Sequence, residues 1–188
     1  MDAPRFLGNH FLIALPGLSD PNFSRSVTLV CQHNAEGAMG VMLNRVSEYR
    51  LGDVLEQMQI HTDDIALAAS PVLIGGPVQP ERGFVLHETS SEEWDSTFRV
   101  SDTLSLTTSR DILAAMARGA GPRRALVALG YAGWDEGQLE SELQDNAWLT
   151  VAADRAILFE TPLEQRWSAS ARLMGVDLTL LTDYSGHA

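Results

Sequence analysis

With 188 residues and a net charge of −12, the chain is long enough to bury a full apolar core without covalent staples. Its charge has the wrong sign for a protein that grips nucleic acid through the phosphates. Its single cysteine, Cys31, excludes an internal disulfide framework and fits a reducing compartment. No run approaches the ~20 apolar residues of a membrane helix, and the apolar segment 11–15 is too short for a signal-peptide core. A cytoplasmic protein with one domain over residues 1–188 is expected.

In chain order, residues 11–15 form an apolar run closed by Pro16-Gly17 and predict a strand. Residues 26–32 alternate Val27, Leu29 and Cys31 against Thr28, Val30 and Gln32 and predict another. Asn34-Ala35-Glu36-Gly37 predicts a turn into a returning strand at 38–44. Leu51, Val54, Leu55 and Met58 recur at helical spacing and predict a short helix. Residues 72–74 and 83–87 predict a strand pair around Gly75-Gly76-Pro77-Val78, and 90–95 an acidic loop carrying Trp94. Residues 97–100 and 104–106 predict a further hairpin. Thr108 with Asp111 three residues on predicts a helix start, with Ile112, Leu113 and Met116 on its apolar face. Residues 126–130 predict a buried strand that breaks at a glycine-rich corner, Tyr131 to Gln138, where Asp135 caps a helix and Gln138 returns the hydrogen bond. A last helix is predicted from Thr161, with Pro162 at its first position and the stripe Leu163, Trp167, Ala171, Met174. Hairpins and helices are mixed without regular alternation. The expected fold is therefore α+β: one compact domain whose mixed or largely antiparallel sheet is packed by about four helices.

The chemistry-bearing residues form no familiar catalytic pattern. Cys31 and His33, two apart, share a face of a regular strand. A thiolate beside an imidazole is reactive, but the apolar neighbours favour a packing role for the cysteine. His10, His33, His61, His87 and His187 show no metal-ligand spacing, so no metal and no cofactor is expected. All thirteen basic residues are arginine; the bland source is a G+C-rich genome, the functional one a demand for planar guanidinium. Gly75-Gly76-Pro77 is either a tight corner or a set of backbone N–H groups aimed at an anion. Trp134 is either an anchor for the helix start or a ligand-binding surface. Asn44, Arg45, Gly75, Gly76, Pro77, Tyr131, Gly133, Trp134 and Gln138 all fall where predicted strands end, where scaffolds carry sites. They are expected to converge on one face, with Arg45 supplying a donor fork, Trp134 an aromatic surface and Gln138 an amide.

An ordered series of segments resembles the AlgH/YqgE family of bacterial proteins. It runs from Phe11 to Pro16 and through Asp20-Pro21-Asn22-Phe23, Arg25-Ser26-Val27, Gly40-Val41-Met42-Leu43-Asn44-Arg45 and Gly75-Gly76-Pro77-Val78. It continues through Thr108-Ser109-Arg110-Asp111-Ile112-Leu113, Leu129-Gly130-Tyr131-Ala132-Gly133-Trp134, Gly137-Gln138-Leu139-Glu140, Trp148-Leu149 and Gly186-His187-Ala188. The resemblance implies an α+β fold, a cytosolic bacterial protein and, through the family name, a role in regulating alginate synthesis and virulence traits. It implies no enzymatic activity and no ligand.

Three functions follow as expectations. The first is a regulatory module that binds an unknown small molecule or protein. The second is an enzyme acting on an anionic metabolite through Arg45 and the helix start near Gly137. The third is a direct DNA-binding transcriptional regulator, which the net charge disfavours; neither tight direct DNA binding nor a membrane partner is expected.

Overall fold

The computed structural model describes residues 6–18, 20–178 and 180. In order the elements are β1 (His10–Ala14), β2 (Val27–Asn34), β3 (Gly37–Met42), β4 (Val46–Arg50), α1 (Leu51–Gln57), α2 (Ile65–Ala68), β5 (Pro71–Ile74), β6 (Val78–Glu88), β7 (Thr97–Arg99) and β8 (Leu104–Thr107). There follow α3 (Arg110–Ala117), β9 (Ala125–Trp134), α4 (Gln138–Gln144), β10 (Trp148–Ala152), α5 (Arg155–Phe159), a short 3-10 turn at Leu163–Gln165, and α6 (Arg166–Arg172). His187 and the terminal Gly186-His187-Ala188 lie outside the described residues.

The sheet runs β10-β1-β2-β3-β9-β6-β8-β7, with every neighbouring pair antiparallel. The β4–β5 pair joins through β5, which runs parallel to the first half of β9. The fold is α+β with a mixed sheet.

β9 organises the whole. Its first half lies between β5 and β6, its last residues reach β3, and Gly130, at φ 78°, makes the bend between them. That left-handed conformation is cheap only for glycine. Beside it, a Cβ on Gly75 would collide with the carbonyl oxygen of Gly130, and one on Gly76 with the carbonyl of Tyr131. Gly75-Gly76 is thus a place where two backbones touch.

Alternation along the strands sends side chains to both faces. Phe11, Ile13, Leu29, Phe84, Leu86 and Ala128 face Ile157, Leu158 and Ala171 of α5 and α6. On the opposite face Leu12, Val30, Ala132 and Trp134 pack with Leu139 of α4 at one end. At the other end Val72, Val85 and Val127 pack with Leu51 and Leu55 of α1 and with Ile112 and Leu113 of α3.

Several local expectations are corrected. Ser109, not Thr108, flanks α3; the Thr108 N–H is already donated to Ser96 O, 2.9 Å, at the end of the β8 ladder. Asp135 is not the cap of α4: Gly137, at φ 73°, precedes the helix. Gln138 does return a bond, accepting from the Asp135 N–H at 2.9 Å. Pro162 starts the short 3-10 turn, and α6 begins only at Arg166. Of the six α-helices among the described residues, α1, α3 and α6 match sequence periodicities, and α4 follows the glycine-rich corner where a helix was expected. The other two, α2 with four residues and α5 with five, are too short to show one.

Candidate functional site

Cys31 and His33 part company. A β-bulge between Val30 and Gln32 shifts the register of β2 against β3, which reverses the inward–outward alternation beyond it. Cys31 packs with Leu29 and Val41 on the α5/α6 face. Burial pushes its thiol up to about 12, so almost no thiolate exists at neutral pH. His33 lies on the other face, where its Nδ1 accepts the Leu7 N–H at 3.0 Å. That leaves Nε2–H to donate to the Glu140 carboxylate of α4. The cysteine and the histidine therefore form no reactive pair.

Asn44 and Arg45 are turned toward the loop of residues 20–25. Asn44 accepts from the Val27 N–H, 3.0 Å, and donates to Arg25 O, 2.9 Å. The Arg45 guanidinium donates to the carbonyls of Pro21, 2.9 Å, Asn22 and Ser24, 2.8 Å. The loop so held places Phe23 against Trp134 and Trp148, with ring centroids 6.2 and 5.7 Å apart. Trp134 is buried, 5% exposed. Its indole N–H and that of Trp148 both donate to Glu142 Oε1, at 3.2 and 3.0 Å, while Gln138 Nε2 donates to Oε2 at 2.9 Å. Arg45 and Gln138 are thus spent on the protein's own groups, and they bracket one loop from two sides.

Gly75, Gly76 and Pro77 come together with Tyr131 and Gly133 through the backbone contact described above and the Val78–Tyr131 pairing. Beyond α5 and α6 on that face is an open cleft lined by Val78, Arg82, Phe84, Tyr131, Gly133 and Gln32, with Trp134 contributing to its edge. The Tyr131 ring stands edge-on to Phe84 at 5.7 Å, and the Arg82 guanidinium lies 5.4 Å over the same Phe84 ring. Gly133 has no left-handed φ, and a Cβ there would meet only ordinary contacts, 3.5 Å to Tyr131 and 3.7 Å to Val78. The backbone does not require a glycine at this position, and its presence leaves the floor of the cleft bare.

Sequence reasoning missed a second cleft, of about 610 Å³, on the opposite face between α1 and α3. Its floor is Val85, Val127 and Leu129 with Val54, Met58 and Leu113 from the helices; Tyr49, Gln57, Glu81 and Thr108 stand at its rim. The signal available was Gly83, which sequence reasoning placed at the start of a strand over 83–87 and which the structure places inside β6.

The buried histidine of β6 belongs to neither of these clefts but lies at the base of a third hollow, shared with Thr89, Trp94, Thr97 and Ser105. His87 and Thr107 are 1% and 0% exposed. Nδ1–H of His87 donates to Glu88 O at 2.8 Å, and Nε2 accepts from the Thr107 hydroxyl at 2.7 Å. Burial lowers the histidine's pKa, and the carbonyl of Glu88 opposes it only in part. Asp111 sits low: burial raises it, but bonds from the Ser109 hydroxyl and from the N–H groups of Asp95 and Ile112 outweigh that. Among the described residues no group of three or more His, Cys, Asp or Glu side chains is placed to hold a metal ion, and no helix is long and apolar enough to cross a membrane.

Fold and surface together define an α+β protein with ligand-sized clefts on both faces of one mixed sheet. The chain belongs to the AlgH-like family, which it matches over residues 11–179. It is 62% identical over 185 residues to a UPF0301 protein of Xanthomonas campestris pv. campestris, covering 98% of each chain. It is 58% identical over 182 residues to one of Methylococcus capsulatus, covering 97% of this chain and 96% of the relative. The solution structure of the AlgH protein from Pseudomonas aeruginosa superposes with a TM-score of 0.81 at 49% identity, covering 97% of this chain and 96% of that one. A Corynebacterium diphtheriae protein at 20% identity shares the fold, with a TM-score of 0.76 over 97% of this chain and 94% of its own.

Proposed function

We propose that the protein is a regulatory binding module whose recognition surface is the glycine-rich corner of β9. The carrying observation is Gly133, a glycine that the backbone does not need, at the floor of an aromatic cleft. Glycine within a strand marks close approach of another molecule when no bend explains it. The Tyr131 hydroxyl lines this cleft and has no hydrogen-bond partner among the described residues. Arg82 offers a planar fork to a carboxylate or similar acceptor. The bound group is a small molecule, or a side chain of a partner protein, with a flat body and an acceptor. Asn44, Arg45, Gly75, Gly76, Pro77, Trp134 and Gln138 serve the surface by fixing the loop and the corner that shape it. Following the family resemblance, the output we assign is regulation of alginate synthesis and related virulence traits, exercised from the cytoplasm. The burial of His87 and Thr107 counts against hydrolytic chemistry, and the dispersal of the arginines counts against direct DNA contact.

The test uses a strain lacking the chromosomal copy, complemented with wild-type protein, Gly133→Leu or Tyr131→Phe, with transcript levels as readout. The two variants are expected to melt within a few degrees of wild type and to fail to restore the wild-type transcript profile. Full restoration by Gly133→Leu rejects the corner as the recognition surface. Loss that appears only together with a lowered melting temperature returns these residues to a structural role.

A further inference from the structure

We propose that the cleft between α1 and α3 is a separate binding site for a small organic cation: an amine carrying an apolar, ring-sized body. Its walls are those of a small-molecule site, a largely apolar cavity with a few polar groups at one side. The volume, about 610 Å³, lies in the usual range for such sites.

Gly83 gives the body its place. It sits on β6 two residues before Val85, so it shares the face that Val85 presents to α1 and α3. It pairs with Leu129 of β9 where the β6–β9 ladder becomes regular, just after the register shift between Val78 and Gly83. Its φ is not left-handed, and a Cβ built on it would meet nothing within 4 Å. Fold and backbone thus accept any side chain there, and the glycine leaves open a hollow that Val54, Met58, Leu113 and Val127 surround. An apolar ring entering this hollow removes its own surface and theirs from water, which favours binding.

The head group follows from the rim. Glu81 is the only charged residue lining the cleft among the described residues, and its carboxylate carries no hydrogen bond or ion pair there. Tyr49, 46% exposed, stands at the same rim with its hydroxyl unpartnered, as do the side chains of Gln57 and Thr108. A carboxylate and an aromatic ring lining one cleft can attract a cation, the first by ion pairing and the second by its negative face. No guanidinium lines the cleft to receive an anion: the nearby Arg110 is turned to the carbonyls of Met58, 3.2 Å, and Gln59, 3.5 Å, at the end of α1. The whole-chain charge of −12 adds a field that gathers cations and repels anions.

The test compares three probes of one shape on the full chain: 2-phenylethylammonium, neutral 2-phenylethanol and 3-phenylpropanoate. Amide chemical shifts are followed at residues 54, 58, 83, 85 and 113. Binding is expected in the order ammonium, alcohol, carboxylate, with the shift changes centred on those residues. Glu81→Gln should weaken the ammonium roughly two- to five-fold, the range of an exposed ion pair, and leave the alcohol unchanged. Gly83→Leu should weaken ammonium and alcohol alike, by about ten-fold or more, while the melting temperature holds or rises because a strand glycine has been removed. Gly83→Leu that melts normally and still binds the ammonium as wild type overturns the proposal. So does a carboxylate that binds as well as the ammonium, or the absence of any shift in this cleft. Should Gly83→Leu fail to fold, Gly83→Ala and the Glu81→Gln comparison decide alone.

Discussion

At His87 both ring nitrogens are committed, one to a carbonyl and the other to the Thr107 hydroxyl. The Thr107 hydroxyl can accept as well as donate, and it has Thr97 Oγ1 at 2.8 Å as a second partner, so these bonds alone do not choose the protonation state; burial does, by penalising the charged ring. Burial accordingly holds the folded-state pKa below the ordinary 6.5. The sign follows from linkage. Below about 6.5 the unfolded chain takes up a proton that the folded chain refuses, so lowering the pH favours unfolding. Stability from this residue is full at neutral pH and declines as pH falls from about 7 toward 5. His87→Gln keeps an acceptor and a donor but does not titrate, so its stability should depend less on pH over this window than that of wild type. Urea denaturation at several pH values measures the difference; parallel pH curves for the two proteins would remove His87 from the account. Cys31 carries the complementary lesson. Its burial was legible from its neighbours, but its separation from His33 was not. A bulge adds one residue to one strand, and nothing in the hydrophobic pattern of residues 26–34 marks where it falls.

Among the elements, the loop of residues 20–25 depends on a side chain from another part of the sequence. Three of its carbonyls, of Pro21, Asn22 and Ser24, receive donors from Arg45. Lysine has no planar fork with which to reach them together. Arg166 does similar work between α6 and the sheet: it is buried, and donates to Leu43 O at 2.6 Å and Thr161 O at 3.0 Å. Arg45→Ala should cost about 1–2 kcal/mol, roughly 2–8 °C in melting temperature for a chain of this size. Because Phe23 then loses its seat on Trp134 and Trp148, tryptophan fluorescence should shift before the main transition. Arg45→Lys should recover only part of the loss. An unchanged melting temperature in Arg45→Ala would show that the loop is held by its own turns. This role lay beyond sequence reasoning, because Arg45 and Pro21 are far apart along the chain and nothing in the spacing of residues 20–25 names a donor. Strands β1, β2, β3 and β9 were legible because their apolar residues are crowded and bounded by turns. β4 was not: its residues Val46, Glu48, Tyr49 and Arg50 are exposed, so they follow no buried pattern. The corner at Gly75-Gly76 was legible as a corner. That its partner would be the backbone at 130–131 depended on a long-range contact that one sequence does not encode in its local pattern.

For the whole molecule, the decisive quantity is where the positive charge goes. Of the twelve arginines among the described residues, eight have partners within the fold. Arg45, Arg50, Arg110 and Arg166 donate to backbone carbonyls. Arg124 and Arg155 pair with Glu88, and Arg124 also with Glu160. Arg25 and Arg82 lie over the rings of Trp167 and Phe84. Arg45, Arg82, Arg110, Arg124 and Arg166 each reach two or more groups, a use that suits guanidinium whatever the base composition of the genome. Phosphate binding asks for the opposite arrangement, a set of outward cations that release counterions from the duplex. Arg123, which has no partner among the described residues, shares the shallow hollow of Arg124 and Arg155 with Glu88 and Glu160, so the positive charge there is largely offset. With a net charge of −12, the long-range field also repels a polyanion. A gel-shift titration near 0.15 M salt is therefore expected to show no retained complex with promoter DNA at protein concentrations up to about 10 μM. Lowering the salt should not rescue binding, because weaker screening lengthens the repulsion as well as any attraction. A nanomolar complex that resists competitor DNA would reverse this reading and would require a cationic surface assembled outside the described residues or by a second chain.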